Sequence, residues 1–379
     1  MSFVVKNPGT ASSLQLEARA GVQIPFTLLP LPGEGMEALC RRLTAALREQ
    51  DATPLHLLVF GQRRGRTAVQ EAFQRHLGMV DWPVTWVEGA ACNGTPVAGI
   101  QVYAFTGGVE RLEFNGRVVG SVFTDGGARQ CVLGGLTPAD PTLTRAAQTC
   151  RVLDQLQTLL ASAGFEIADL VRTWFYLDDI LAWYDDFNQA RTGVYSGVKF
   201  HTGSLPASTG VGAKNPAGTA LALAAWAFRP LDKHARARET ASPLQCPAPA
   251  YGSSFSRAME ITSNTGRRLF ISGTASIAHG GKTLWTGDIR QQVKQTMDVV
   301  GAILQAQAYT FADLTHATAY FRHASDAGVF TQWLAANQLR DLPVISAQCD
   351  VCRDNLLFEL EAGAQKAEHS GSPGPEVKS

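Results

Sequence analysis

Hydrophobic positions in the chain follow two rhythms that alternate. Over 289–304, Ile289, Val293, Met297, Val300 and Leu304 return every three or four residues, which predicts one buried face of a helix. Cys150, Leu153, Leu156 and Leu160 do the same upstream. Each helix leads into a segment that alternates every second residue: GFEIADLVRTWFYL (164–177) and YTFADLTHATAYF (309–321). These read as strands ending in aromatic residues. Asp169 aligns with Asp313 and Tyr176 with Tyr320, and the two aspartates are expected to be structural, at a helix-to-strand turn. Both copies then run through a second helix to LPASTGVGA (205–213) and LPVISAQCD (342–350), and on to TALALAAWAF (219–228) and LLFELEAGA (356–364). Pro206 to Ala222 and Pro343 to Glu359 are both 16 residues, so the two stretches read as repeats of one unit.

A fainter third copy lies upstream. A helix at 35–49 precedes the strand HLLVFGQ (56–62), the helix TAVQEAFQRHLG (67–78) and the strand pair DWPVTWVEG (81–89) and VAGIQVYAF (97–105). Phe60 to Pro83 is 23 residues, as is Tyr320 to Pro343. The middle copy has 30, an insertion of seven around WYDDFNQARTGVYSG. Each copy is expected to open on a hairpin: RVVGSVFTD with RQCVLGG in the middle one, RRLFISGTASI with KTLWTG in the last. Mixed strands and helices in this order predict an α+β unit with helices on one face of the sheet. The expected division is 1–117, 118–235 and 236–365 for the three units, with a polar, disordered tail at 366–379.

Composition narrows the function classes. The 379 residues are 45% hydrophobic and 17% charged, with 33 basic and 33 acidic side chains. Such a chain has core material for several domains and no basic excess for nucleic acid. No run approaches the length of a membrane span. MSFVVKNPGTASS lacks the pattern of a secretion signal, so a cytoplasmic location with reduced thiols is expected for the seven scattered cysteines. Cys349 and Cys352 form a lone CxxC with no second pair or spaced histidines, which argues against zinc. AHGGKT (278–283) lacks the upstream glycine of a phosphate loop and falls in a turn. No metal or cofactor is expected.

The strand–helix–strand order with LPASTGVG and FELEA resembles the YjgF/RidA family, over roughly 120–228 and 255–364 with 20–110 as the faint copy. That family forms small trimers with sites between subunits. The resemblance therefore implies tandem YjgF/RidA-like (chorismate-mutase-like) units that form an intrachain pseudo-trimer, acting as a monomer. STGVG together with CRDNLLFELE resembles, more specifically, the chorismatase family, whose members take chorismate to pyruvate and a diol or hydroxybenzoate. The arginine that imine deaminases carry two residues after the proline is replaced by Thr85, Ser208 and Ile345, which opposes that activity. The strand-end glutamate reads Gln101, Ala222 and Glu359, so one site keeps its acid.

Cleaving the enolpyruvyl ether of chorismate begins by protonating its methylene carbon. A carboxylic acid does this near neutrality only if burial raises its pKa. Glu359 is the candidate acid, and Glu361 is expected to be structural or on the surface. Cys352, seven residues earlier, resembles the 3-hydroxybenzoate-forming subgroup, where diol-forming relatives tend to have alanine. The implied products are pyruvate and 3-hydroxybenzoate, with 4-hydroxybenzoate or the dihydrodiol as alternatives and an imine deaminase or a non-catalytic binder as the readings from other classes. Two substrate carboxylates call for cationic or N–H donors. Arg172 with Tyr176, Arg322 with Tyr320, and Arg191 in the insertion are candidates. Gly210 and Gly212 are candidates for letting backbone N–H groups approach an anion. Arg353 is expected to point away if its strand is regular.

Overall fold

The structure is a computed structural model that describes residues 5–6, 21–62, 66–78 and 80–367. Of the expected tail, all but Lys366 and Ala367 lies outside the described residues. In chain order the first elements are β1 (Val5–Lys6), β2 (Gln23–Leu28), α1 (Met36–Glu49), β3 (Thr53–Gly61), α2 (Arg66–Leu77), β4 (Val84–Val87), β5 (Ala90–Ala91) and β6 (Val97–Phe105). Next come β7 (Val109–Phe114), β8 (Arg117–Asp125), β9 (Ala128–Leu136), α3 (Arg145–Ser162), β10 (Leu170–Leu177), α4 (Tyr184–Tyr195), β11 (Ala207–Gly212) and β12 (Leu221–Pro230). The last are β13 (Arg236–Thr240), β14 (Ala258–Ser263), β15 (Gly266–Ala275), α5 (Ile289–Ala306), β16 (Leu314–Phe321), α6 (Ala327–Ala336), β17 (Val344–Gln348) and β18 (Phe358–Lys366).

Three sheets contain one four-strand order: β2-β6-β3-β4, β9-β12-β10-β11 and β15-β18-β16-β17. In each, the last two strands are parallel and joined through a helix, as a parallel pair requires. The long helices α3 and α5 are held by their apolar stripes and by their starts. Val152, Leu153, Leu156 and Leu160 of α3 are buried, and Thr144 accepts from the Ala147 N–H. Val293, Met297, Val300 and Leu304 of α5 are buried, and Asp288 accepts from the Gln291 N–H. Asp169 and Asp313 each close a capping box on the 3₁₀ turn before the next strand. Asp169 also meets Arg229 at 2.5 Å. The helix-free faces of the three sheets share one core, where Phe60, Trp174, Tyr176, Trp226, Phe270 and Tyr320 pack. The architecture is α+β.

Strand pairing corrects several expectations. The hairpin of the last unit is β14 with β15, so its first strand is AMEITS rather than KTLWTG, of which only Thr283 makes an isolated bridge, to Ile277. β7 pairs with β8, so the middle sheet begins before residue 118. Tyr176 faces Ala222 and Tyr320 faces Glu359, but Phe60 faces Gly99. Gln101 stands opposite Leu58 and is the counterpart of Glu361, opposite Thr318. Similarly, Thr85, Thr209 and Ile345 occupy equivalent places on the parallel strands, not Thr85, Ser208 and Ile345. No arginine stands at either set of positions.

Candidate active site

The middle and last units are joined along β11. The Ser208 N–H donates to Ser272 Oγ at 2.8 Å, Ser256 N–H donates to the Pro206 carbonyl at 3.1 Å, and Gly212 exchanges backbone hydrogen bonds with Asp350. A cavity opens beside this seam, with about 490 Å³ of empty space, mouth included. Tyr184, Arg191, Ser208 and Gly210 line it from the middle unit. Tyr251, Arg257, Gly273, Cys352, Arg353 and Glu359 are among those lining it from the last. A wider outer cavity shares Tyr184, Tyr251, Ser253, Cys352 and Arg353 with it, which makes these residues the neck.

Glu359 is 4% exposed and Glu361 2%, so neither lies on the surface. Burial, reinforced by the charge of Glu361, pushes the Glu359 carboxyl up to about 8, against the opposing pull of Arg172 and Arg257. No side chain among the described residues hydrogen-bonds to it. Its carboxyl lies over Gly273, where a Cβ would collide with Oε1. Glu361, two residues on, faces the interior and is fully paired. Arg172 Nη2 donates to Oε2 at 2.6 Å, Thr209 Oγ1 donates to the same oxygen at 2.5 Å, and Tyr320 Oη donates to Oε1 at 2.7 Å. Thr209 in turn accepts from the Gly273 N–H at 3.0 Å, which ties this cluster to the floor of the cavity.

Three guanidinium groups line the cavity. Arg191 is buried, with Nη2 donating to Asn188 Oδ1 at 2.8 Å and its Nε without a partner. Its ring partner is Phe187, 4.9 Å away. Arg257 holds the Cys246 carbonyl with Nε and Nη2, both at 3.0 Å. Arg353 donates to the Gly281 carbonyl at 2.7 Å. Arg257 and Arg353 flank Tyr251, at 5.3 and 5.7 Å. Burial and the nearby Glu359 push the Cys352 thiol up to about 12, so it is a neutral SH in this wall.

Of the expected site residues, the cavity gathers Glu359, Cys352, Arg191 and Gly210. Arg172, Tyr176, Tyr320, Gly212 and Arg322 stand elsewhere. Arg172 and Tyr320 point to the interior side of their strands and hold Glu361; Tyr176 lies in the same core beside Phe60. Gly212 gives its N–H to the Asp350 carbonyl at 2.7 Å, and Arg322 gives a guanidinium N–H to the Asp354 carbonyl. Gly210 has only Tyr184 near where a Cβ would project, so it widens the cavity rather than offering its backbone. Arg353 reaches the site because 351–355 is a turn, not a strand. Arg257 and Tyr251 come from the Pro-rich stretch before β14, where no periodicity marks them. A glycine inside the strand FISGTA was the one available sign of Gly273.

Among the described residues, no three His, Cys, Asp or Glu side chains gather as a metal site. No described helix is long and apolar enough to cross a membrane. Residues 247–366 match the family described as Endoribonuclease L-PSP. A chorismatase of Streptomyces rapamycinicus is 28% identical over 235 residues, 57% of this chain and 69% of that protein. A 3-hydroxybenzoate synthase of Streptomyces hygroscopicus is 24% identical over 224 residues, 52% of this chain and 64% of its own length. The crystal structure of a chorismatase superposes with a TM-score of 0.64 at 20% identity, over 90% of this chain and 98% of the other, which is a likeness of fold. The chain is thus similar to chorismatases in sequence and shares their fold, and its last unit matches the Endoribonuclease L-PSP family.

Proposed function

We propose that this protein cleaves the enolpyruvyl ether of chorismate to pyruvate and 3-hydroxybenzoate, with Glu359 as the general acid. The observation that carries the reading is the Glu359 carboxyl, buried and held protonated near neutrality, in one cavity with Arg191, Arg257 and Arg353. Three fixed cations suit a substrate with two carboxylates, and the unpartnered Nε of Arg191 is a ready donor. Glu359 gives its proton to the enol methylene, which becomes the methyl group of pyruvate. The resulting oxocarbenium weakens the bond from the ether oxygen to the ring, and that bond breaks with its electron pair going to the pyruvate oxygen. The ring's own hydroxyl takes the place water would take at the vacated carbon. The ring then returns a proton to the Glu359 carboxylate, and no water is consumed.

Cys352 bears on the choice between hydroxybenzoate and diol. Its neutral thiol is a weak hydrogen-bonding group that holds water poorly beside the acid. The similar 3-hydroxybenzoate synthase supports this product over the diol. The three tandem units are proposed to act as an intrachain pseudo-trimer with one functional cleft, because the acid position reads Gly99 in the first unit and Ala222 in the middle one. Incubating the protein with chorismate tests the reading, with pyruvate followed by coupled NADH oxidation and the ring product identified by chromatography. Stoichiometric pyruvate and 3-hydroxybenzoate are expected. No pyruvate release would overturn the proposal, and release of the diol would overturn its product assignment.

A further inference from the structure

The first and middle units also meet in a cleft, the counterpart of the one that holds Glu359. Val84 and Trp86 of β4 occupy the places that Ser208 and Gly210 occupy on β11, since Leu57 and Val59 face them as Thr173 and Phe175 face the others. Gly134 and Gly135 of β9 lie at its floor, where the strand register breaks as it does around Gly273. The acid position is Ala222, so this cleft has no proton donor. It is nevertheless not closed. Between α2, β4 and the β7–β8 hairpin it retains about 2580 Å³ of empty space, its open mouth included.

The lining of that space combines two features. One is an apolar, largely aromatic wall made of Phe73, Trp82, Trp86, Val69 and Val119. The other is a set of hydrogen-bond donors left without acceptors: Trp82 Nε1, Trp86 Nε1 and Arg111 Nη2. Trp82 and Trp86 are 6% and 7% exposed, so their N–H groups are largely out of reach of solvent. Arg111 has Nη1 engaged with the Pro54 carbonyl at 2.9 Å and Ser121 Oγ at 2.6 Å, which fixes its plane, while the nearest acid to Nη2, Asp81, is 3.8 Å away. Buried donors are ordinarily satisfied, and each one left unmade is unfavourable. Three donors without a hydrogen-bond acceptor, beside an aromatic wall, match one chemistry, a planar organic anion with a single carboxylate.

We propose that this cleft is a second, non-catalytic binding site for an aromatic monocarboxylate. The ring lies against Trp86 and Phe73, and the carboxylate accepts from Arg111 Nη2 and the indole N–H groups. Three guanidinium groups, Arg66, Arg111 and Arg117, line this cavity beside two carboxylates, Asp81 and Glu113, whereas Glu359 is the one carboxylate beside the three guanidinium groups of its cleft; the smaller surplus of cations sets the preference for one ligand carboxylate over two. The site does not depend on the proposed reaction, and any ring acid of this size can occupy it.

Benzoate and 3-hydroxybenzoate are the probes, titrated by calorimetry into the full-length protein and into Glu359→Gln, Arg191→Met, and Trp82→Phe/Trp86→Phe variants. The Phe replacements keep the ring and remove only the N–H, and thermal unfolding midpoints confirm that each variant is folded. Binding of one equivalent is expected to persist in Glu359→Gln and Arg191→Met and to weaken about tenfold or more in the double Trp variant, in keeping with a hydrogen bond to a charged group. Val84→Trp, which fills the cleft from β4, should abolish it. Absence of benzoate binding would overturn the proposal, as would binding that is lost with Arg191 and untouched by the Trp and Val84 replacements. Because the readout is binding, these results do not depend on whether chorismate is turned over.

Discussion

Glu359 owes its chemistry to three neighbours: the apolar burial that raises its pKa, the Glu361 carboxylate that raises it further, and the guanidinium groups that oppose both. As the proposed general acid it works in the protonated form, so kcat/KM should be level below about pH 8 and fall tenfold per unit above it. Glu359→Gln keeps shape and polarity and removes the proton. Its turnover should drop by about 10²–10⁴-fold with little change in affinity for the dianion. Glu361→Gln makes a different prediction. It leaves the proton donor in place, deletes the charge that raises it, and frees Arg172 to lower it. The alkaline limb of the pH–rate profile should therefore move to lower pH, while kcat on the acidic plateau falls much less than in Glu359→Gln. A limb that stays in place would show that Glu361 does not tune the acid. Cys352→Ala should change the product ratio toward the diol more than it changes total pyruvate release, and chromatography of the ring product reads this directly.

At the scale of elements, the site depends on the pairing of two strands, β15 and β18, which leaves its regular course once. β15 shifts register between Ile271 and Thr274, and this break presents the Gly273 backbone to the Glu359 carboxyl. Gly273→Ala puts a Cβ where the carboxyl lies, so Glu359 must swing away from the cavity. Turnover should fall at least about tenfold, with a fold intact by circular dichroism, because displacement of a catalytic group by an ångström has that order of effect. Unchanged kcat would mean that the carboxyl has another productive position. These strands also mark how far the sequence was legible. The long helices and most central strands of the three units follow from the 3.6- and 2-residue periods, whereas the hairpin strand AMEITS is missed and KTLWTG is read in its place. Glu359 was legible because its counterparts had lost the acid. Arg257, Arg353 and Tyr251 were not, since they sit in turns where no period constrains them and only the approach of two units brings them together. Arg172 was misplaced for the opposite reason: alternation gave its face, but both faces of β10 are buried, and sequence does not say which buried face holds the ligand.

Across the whole molecule, the places equivalent to Arg172 are His56 in the first unit and His316 in the last, each four residues before the aromatic that faces the acid position. In the middle unit the cation is paired with Glu361; in the other two a neutral imidazole stands in its place. His56 Nε2 shares a hydrogen bond with Thr85 Oγ1 at 2.8 Å and packs on Gly134 of the middle unit. His316 Nε2 meets Tyr103 Oη of the first unit at 2.9 Å. Burial pushes both imidazoles down from 6.5 to about 3. For such a group the unfolded chain takes up the proton first, so the stability it contributes is complete above pH 6.5 and is lost as pH falls toward 3. Each histidine then adds a slope of about 1.4 kcal/mol per pH unit across that window. Glu359 has the opposite sign. Its folded pKa is raised, so its contribution is complete below 4.5 and is lost as pH rises toward 8. The three terms together place the stability maximum near neutrality and predict unfolding in mild acid, where two unit junctions must accept charge at once. Urea unfolding at a series of pH values tests this. His56→Gln and His316→Gln should each flatten the fall in stability between pH 6.5 and 3, whatever offset they introduce at pH 7, and Glu359→Gln should gain on the parent protein from pH 5 to 8. If the acid limb keeps its slope in both histidine variants, the imidazoles are not the groups that open the junctions in acid.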